Sequence, residues 1–395
     1  MADSRRVLTL AGMTSTLSID TEAPAHTDWR AVSRELGPVF ADRAAAYDAN
    51  DSFPFENYRE LKEYGVFGAP VPIELGGGGA SYAELCQIVC DLGRYCSATA
   101  LSLSMHMHLT ATMVWVWRRG GPTAPVLQRI AREQLVLVNS GATDWLDSSG
   151  TAERVDGGYR VTARKAFCSG SPVGDLLLTS AVYEDPDQGP TVLHFGVPIK
   201  TSGLTVLDNW RTMAMRASGS NDIVLDGVFV PDGAISARRP KGAWTDIWNV
   251  VVAVAGPLVT SAYLGVAEAA RDVAIKKLAH KREDALVWQL VGEMETALAT
   301  AQLATQSMID LNADYTFAPD KATANAMAIR KTIAAQSSML AVEKALEAVG
   351  GAGIYRSVGL ERLVRDIHAA QFHPLQAKRQ YRFSGRMALG LDPIG

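Results

Sequence analysis

Three histidines, one serine and four cysteines stand out in this chain as side chains whose type and setting could do chemistry. His373 is followed by a proline in "LERLVRDIHAAQFHPLQ", residues 360–376. An imidazole has an unperturbed pKa of about 6.5, so it can give or take a proton near neutral pH. His106 and His108 lie two apart in "SLSMHMHLT". On a helix such residues point roughly 160–200° apart, so only one can face a given pocket. Each reads equally well as a buried histidine bonded to backbone. No His-x3-His spacing answered by a carboxylate is present, so no metal is expected. Cys86, Cys90 and Cys96 fall at helical spacing in "SYAELCQIVCDLGRYC" without a ligand-rich partner motif. Together with Cys168 they read as buried, reduced thiols, which fits a cytoplasmic protein. Ser169 closes the strand-like run "RKAFCSG".

The elements that must position these groups fall into three zones. Residues 1–27 read as a disordered extension, because the short apolar run after Arg5 and Arg6 is too broken for a signal peptide. Residues 28–134 carry apolar positions three and four apart, interrupted by Gly and Pro, and predict an α-helical domain. Residues 135–240 change to short Val-, Leu- and Thr-rich runs, and "RVDGGYRVTARKAF" reads as a hairpin turning at Asp-Gly-Gly. Residues 241–395 return to long apolar-striped helices and predict a four-helix bundle. The fold class is therefore α+β multidomain, with a β-barrel or sandwich between two helical parts. The net charge of −4 is spread along the chain and suggests no nucleic-acid partner. No apolar run reaches the roughly 18 residues of a membrane span, so no membrane partner is expected.

Helices, a β domain and a bundle in this order resemble the acyl-CoA dehydrogenase superfamily over nearly the whole chain. "FPFENYRELKEYGVFGAPVPIELGGGG", "RKAFCSG", "MRASGSNDIVLDGVFVP" and "GGAGIYRSVGLERLVRD" carry the likeness. The resemblance implies a flavin, FAD with FMN as the alternative. It puts Phe167 beside the ring, where the family commonly has Trp, and Ser169 at the ring edge. It implies that Thr143, Ser148 and Ser149 contact the flavin and its pyrophosphate. It also implies that Gly350 and Gly351 approach the cofactor of a neighbouring subunit, hence a homo-oligomer, dimer or tetramer. The family's Arg-x-x-Phe-Gly motif is absent from the corresponding "AHKREDALVWQ".

The dehydrogenases need a carboxylate to remove a substrate proton. Most members place a Glu eight residues after the Asp of the Arg-Asp pair, and here that position is Pro374. A minority place it about seven residues before the Gly-Pro of the first bundle helix, which here is Asn249. Asp246 and Glu361 remain as relocated candidates. A branch of reduced-flavin monooxygenases, including dibenzothiophene and indole oxygenases, is similar in lacking the Glu and in its histidine-rich pocket. That likeness implies catalytic roles for His373, Ser169 and one of His106 or His108. It further implies O2, flavin supplied reduced by a separate reductase, and a small aromatic or heteroaromatic substrate. A dehydrogenase with a moved base and a non-catalytic flavin-binding homologue are the competing readings.

Overall fold

The computed structural model describes residues 27–141, 144 and 146–394. The expected extension 1–27, apart from Thr27, and Thr143 lie outside the described residues. Helices α1 (Trp29–Ala49), α2 (Phe55–Glu63), α3 (Tyr82–Tyr95), α4 (Ser97–Trp117) and α5 (Ala124–Glu133) come first. Local chemistry sets their starts. Asp28 caps α1 by accepting from Ala31 N, and Ser81 with Glu84 forms a reciprocal capping box on α3. Helix α4 is buried almost all round, and both histidines lie inside it.

The strands are β1 (Leu137–Asn139), β2 (Thr151–Val155), β3 (Gly158–Cys168), β4 (Leu176–Asp185), β5 (Gly189–Pro198), β6 (Leu204–Val206), β7 (Asn221–Pro231) and β8 (Ile235–Pro240). They form one mixed sheet in the order β6-β7-β3-β2-β4-β5-β8, with β1 also paired to β4. Among the described residues no ladder joins β6 to β8, so the expected barrel or sandwich takes the form of an open sheet. The hairpin expected at Asp156-Gly157 forms as β2–β3. Strands β1 and β2 both lie parallel to β4, against its two ends.

Helices α6 (Asp246–Leu278), α7 (Ala285–Asn312) and α8 (Lys321–Val349) are long, while the fourth column of the expected bundle is broken. It consists of α9 (Leu360–Ile367), a single-turn stretch to Phe372 and α10 (Ala377–Ala388). The expected absence of a span needs one correction. Helix α6 with its short extension to Lys281 is long and apolar enough to cross a membrane, and 83% of its most apolar window is buried inside the fold. Shape explains the burial. Gly93 on α3 and Gly265 on α6 let the two backbones touch, since a Cβ on Gly265 would stand 2.2 Å from Cys90 O.

Two residues at the end of α9 tie the three parts together. The Asp366 carboxylate is buried and accepts from the Ser97 hydroxyl at the head of α4 and, at 2.6 Å, from Met215 N in the β6–β7 connection. Arg365 grips both oxygens of Asp48 on α1 at 2.6 and 3.1 Å, pairs with Glu361 and donates to Met213 O. Truncating Asp366 would leave two buried donors without an acceptor, at about 1–3 kcal/mol each. Asp366→Ala is therefore expected to destabilise the fold by about 2–4 kcal/mol in urea unfolding, and Asp366→Asn by less, because its amide oxygen can still serve Met215 N.

Candidate active site

Strand β3 ends in a bulge. Lys165 pairs with Ile223 and Cys168 with Asn221, so β3 carries one extra residue between them. Phe167 takes that extra place with φ 58° and is 54% exposed, its ring meeting Trp210 edge-on at 5.8 Å. Trp210 is held by Nε1 donating to Met215 O. Gly141 runs so close beneath that an added Cβ would stand 2.6 Å from the Phe167 Cβ. The bulge thus turns one aromatic face outward against a fixed indole.

Ser169 follows directly. Its hydroxyl and that of Ser220 are 2.7 Å apart, and Ser220 is also 2.7 Å from the Ser218 hydroxyl. Three hydroxyls share two bonds, so one hydrogen is left over. Ser218 is 0%, Ser220 3% and Ser169 8% exposed. An unaccepted hydrogen costs least at the least buried end. The order Ser218 to Ser220 to Ser169 would leave the spare hydrogen at Ser169, beside Phe167. An apolar ring wall with a directed donor at its edge fits a flat heterocycle with polar rim atoms, as an isoalloxazine has.

The loop from 140 to 149 is built on a buried ion pair. Lys165, fully buried, lies 2.9 Å from Asp144 and donates to Ser149 O at 2.6 Å. Burial pulls the Lys165 pKa below the ordinary lysine value, against the pull of Asp144. Asp144 also accepts from Ser149 N and its hydroxyl, and Ser148 bonds Ser180 on β4. The Ser149 hydroxyl is thus engaged inside the loop and that of Ser148 against β4. Asp144 and Lys165 were not singled out in the sequence. A signal was there: with Val161 and Ala163, Lys165 continues the inward-facing alternation of β3.

On the helical side, His373 Nε2 is 2.6 Å from the hydroxyl of Tyr263 on α6. Burial, then the charges of Lys331 and His108, lowers the His373 pKa to about 3. Burial, then Asp366, raises that of Tyr263 well above normal, so the pair is a neutral imidazole and a phenol. His108 Nδ1 lies 3.2 Å from Ser104 O. His106 is different from what a pocket role requires. Nε2 lies 2.9 Å from Phe67 O and Nδ1 accepts from Leu137 N at 3.1 Å, so both ring nitrogens bind backbone and pin β1 to α4. No direct contact joins Ser169 to His373. Met215 shares an apolar cluster with Tyr263 and holds Trp210.

Neither of the two positions at which the family places its base carries a carboxylate here. Pro374 is at one and Asn249, bonded to Trp244 and Pro319 O, at the other. Glu361 is held by Arg365, and Asp246 is exposed in the first turn of α6. Gly350 and Gly351 are exposed after α8, with open space around each Cα. Among the described residues no group of three or more His, Cys, Asp or Glu could hold a metal ion.

A mixed sheet between an N-terminal helical part and a C-terminal helical bundle is the architecture of a known class of flavoenzymes. The chain belongs to the acyl-CoA dehydrogenase family: the family's N-terminal domain model matches residues 27–121 and its C-terminal domain model residues 258–377. It is 31% identical to the amino sugar nitrososynthase RubN8 of Streptomyces rubradiris, over 90% of this chain and 88% of that protein. It is 27% identical to the putative acyl-CoA dehydrogenase YdbM of Bacillus subtilis, over 91% of this chain and 96% of that one. The fold superposes on KijD3 in complex with FMN and a dTDP-linked amino sugar with a TM-score of 0.84 at 29% identity, covering 94% and 96% of the two chains. The dibenzothiophene monooxygenase TdsC of Paenibacillus sp. A11-2 gives 0.81 at 21%, covering 92% and 97%, a likeness of fold alone. The chain is thus a member of a flavin-dependent family whose neighbours include monooxygenases and nitrososynthases.

Two measurements test this geometry. Ser220→Ala removes the partner that orients Ser169 and is expected to weaken binding of oxidised FMN about threefold to tenfold, the worth of one net hydrogen bond, with unfolding little changed; Ser220→Thr should restore binding. Equal affinities by fluorescence quenching would dismiss the hydroxyl chain. The second test is pH. Burial depresses His106, His108 and His194 to about 4 and His373 to about 3. Between pH 6.5 and about 4 the unfolded chain binds protons that the folded chain refuses. Stability is therefore expected to fall as pH drops through that window, by roughly 1.4 kcal/mol per unit for each proton. Above pH 6.5 these groups add no slope. His373→Gln should lower the slope by one proton in unfolding curves at pH 5, 5.5 and 6.

Proposed function

We propose that the chain is a monooxygenase that uses reduced flavin from a separate reductase to put one atom of O2 into a small organic substrate. One observation carries this reading. Where a dehydrogenase needs a carboxylate, this chain has Pro374, and the neighbouring polar group is the neutral His373–Tyr263 pair. A bound reduced flavin supplies the two electrons with which O2 yields one oxygen atom to the substrate and one to water. Phe167 and Trp210 would seat the ring, and the Ser169 hydroxyl would donate to its edge. An imidazole held near a pKa of 3 is a poor proton sink. Its work would be to orient the substrate by a hydrogen bond from or to Nδ1, with Nε2 engaged by Tyr263.

For the substrate we favour a primary amine on a sugar, because RubN8 and KijD3 are named for or bound to amino sugars at 31% and 29% identity. The small aromatic or heteroaromatic substrate is the competitor, supported by a likeness of fold alone. FMN is the flavin to test first, since it is bound to KijD3 and TdsC, with FAD beside it. A cytoplasmic homo-oligomer, dimer or tetramer, remains part of the proposal. It is supported by the exposed Leu286, Trp288, Leu303 and Leu340 on α7 and α8 and by the open Gly350–Gly351 segment.

The deciding experiment gives the protein reduced FMN or FAD, O2 and either a nucleotide-linked amino sugar or indole, and looks for a product one oxygen heavier. In parallel, acyl-CoAs are added to protein and oxidised flavin without O2. We expect oxygenated product and no bleaching; bleaching at turnover rates would make the chain a dehydrogenase. His373→Ala should keep flavin binding, lower product formation about tenfold or more by loss of one catalytic hydrogen bond, and raise free hydrogen peroxide. Unchanged product formation would reduce His373 to a packing residue.

A further inference from the structure

Lys331 lies on the buried stripe of α8, in line with Ala324, Met327, Ala328 and Ala335, yet carries an ammonium. It is buried, and no carboxylate lies within ion-pair distance among the described residues. Its Nζ is 2.9 Å from His373 O, 3.3 Å from Leu375 O and 3.5 Å from Ala370 O. An ammonium has three hydrogens, and three carbonyls take them. All three carbonyls belong to the turn that breaks the fourth helical column between α9 and α10. That turn carries His373.

The arrangement excludes one role and implies another. With its donors saturated by backbone, Lys331 has none to spare for a substrate. The turn, in exchange, has its carbonyls satisfied where no helix continues to do so. From the other side Tyr263 holds the His373 ring. The backbone of His373 is thus gripped from α8 and its imidazole from α6, which fixes both ends of one side chain. We propose that Lys331 is the positioning residue for His373: a buried cation that organises the turn 370–375 so that the imidazole meets Tyr263 and faces the site. Burial lowers the Lys331 pKa to about 8, which accords with a cation held by dipoles instead of a counter-charge.

The part of this proposal that concerns catalysis rests on the monooxygenase reading, so the test has a readout that does not. Lys331→Met keeps the length and removes the donors. Lys331→Gln keeps two donors and serves if the Met variant does not fold. With histidine labelled at 13Cε1, and the His373 signal assigned by its loss in His373→Gln, the unmodified protein should show one sharp signal. In Lys331→Met the signal should shift and broaden, and in Lys331→Gln it should lie between. Flavin affinity should stay unchanged in both. Product formation should lose kcat, roughly tenfold to a hundredfold for a catalytic group misplaced by about an ångström, with little change in KM. Propylammonium added to Lys331→Ala should recover part of it. A folded Lys331→Met or Lys331→Gln whose His373 signal is unmoved overturns the proposal. A moved signal in a protein that oxygenates nothing leaves the latch standing and overturns the monooxygenase reading instead.

Discussion

A carboxylate with no access to water sits where the three parts of this protein meet, and the geometry of the site depends on it. Asp366 ends α9, and it accepts one bond from the head of α4 and one from the loop leading into β7. Burial pushes its pKa up, while the two donors, Ser97 and Met215 N, pull it down. A buried carboxylate without partners would be strongly destabilising, so Asp366 is fully satisfied only when all three parts are in place. Arg365 repeats the logic one residue earlier with Asp48 of α1. The end of α9 is thereby fixed against both other parts. The turn that follows it delivers His373, and the loop that meets it delivers Trp210 to Phe167. The bond from Met215 N to Asp366 thus ties the end of α9 to the loop that carries Trp210.

Pro374 has consequences beyond its own side chain. Proline at position 374 cannot carry a helix through regularly, and the column is in fact broken there into α9, a single-turn stretch and α10. Breaking a helix exposes carbonyls, and the buried Lys331 answers them. The polar groups beside Pro374 are a phenol and an imidazole, both uncharged. Such groups orient a ligand without binding its protons, which suits chemistry that needs alignment and exclusion of water more than proton abstraction.

Much of this was legible in the sequence, and the remainder failed for identifiable reasons. The helix–sheet–helix order, the Asp156-Gly157 hairpin and the break in the last helical column at Pro374 depend on local pattern and on single positions. The hydroxyl chain depends on Ser169 and Ser220, fifty-one residues apart, meeting across β3 and β7, and no local pattern encodes that. His106 was read as an open choice between pocket and packing. Its two nitrogens are taken by Phe67 and Leu137, which lie thirty-nine residues before it and thirty-one after it. The buried lysines are the instructive case. Lys165 sits on an inward strand alternation and Lys331 on an apolar helix stripe, and each is a charge among apolar neighbours. Each is a local inconsistency, and a charge placed where a hydrophobe belongs signals a partner supplied by the tertiary fold.

The contact of α3 with α6 at Gly93 and Gly265 has a further consequence for how the sequence can vary. A methyl group at position 93 would stand 2.6 Å from Ala262 O. The next residue along α6 is Tyr263, whose hydroxyl meets His373. Relief of that clash must translate or roll α6, and a helix moves as a rigid rod. The two glycines therefore act as a pivot whose lever arm ends at the site. A substitution there, far from any reacting atom and blameless by its chemistry, would be felt as a displaced phenol. Drift at this crossing is open only to paired changes that restore the spacing, so the freedom of two small residues in the helical scaffold is limited by a histidine in another part of the chain.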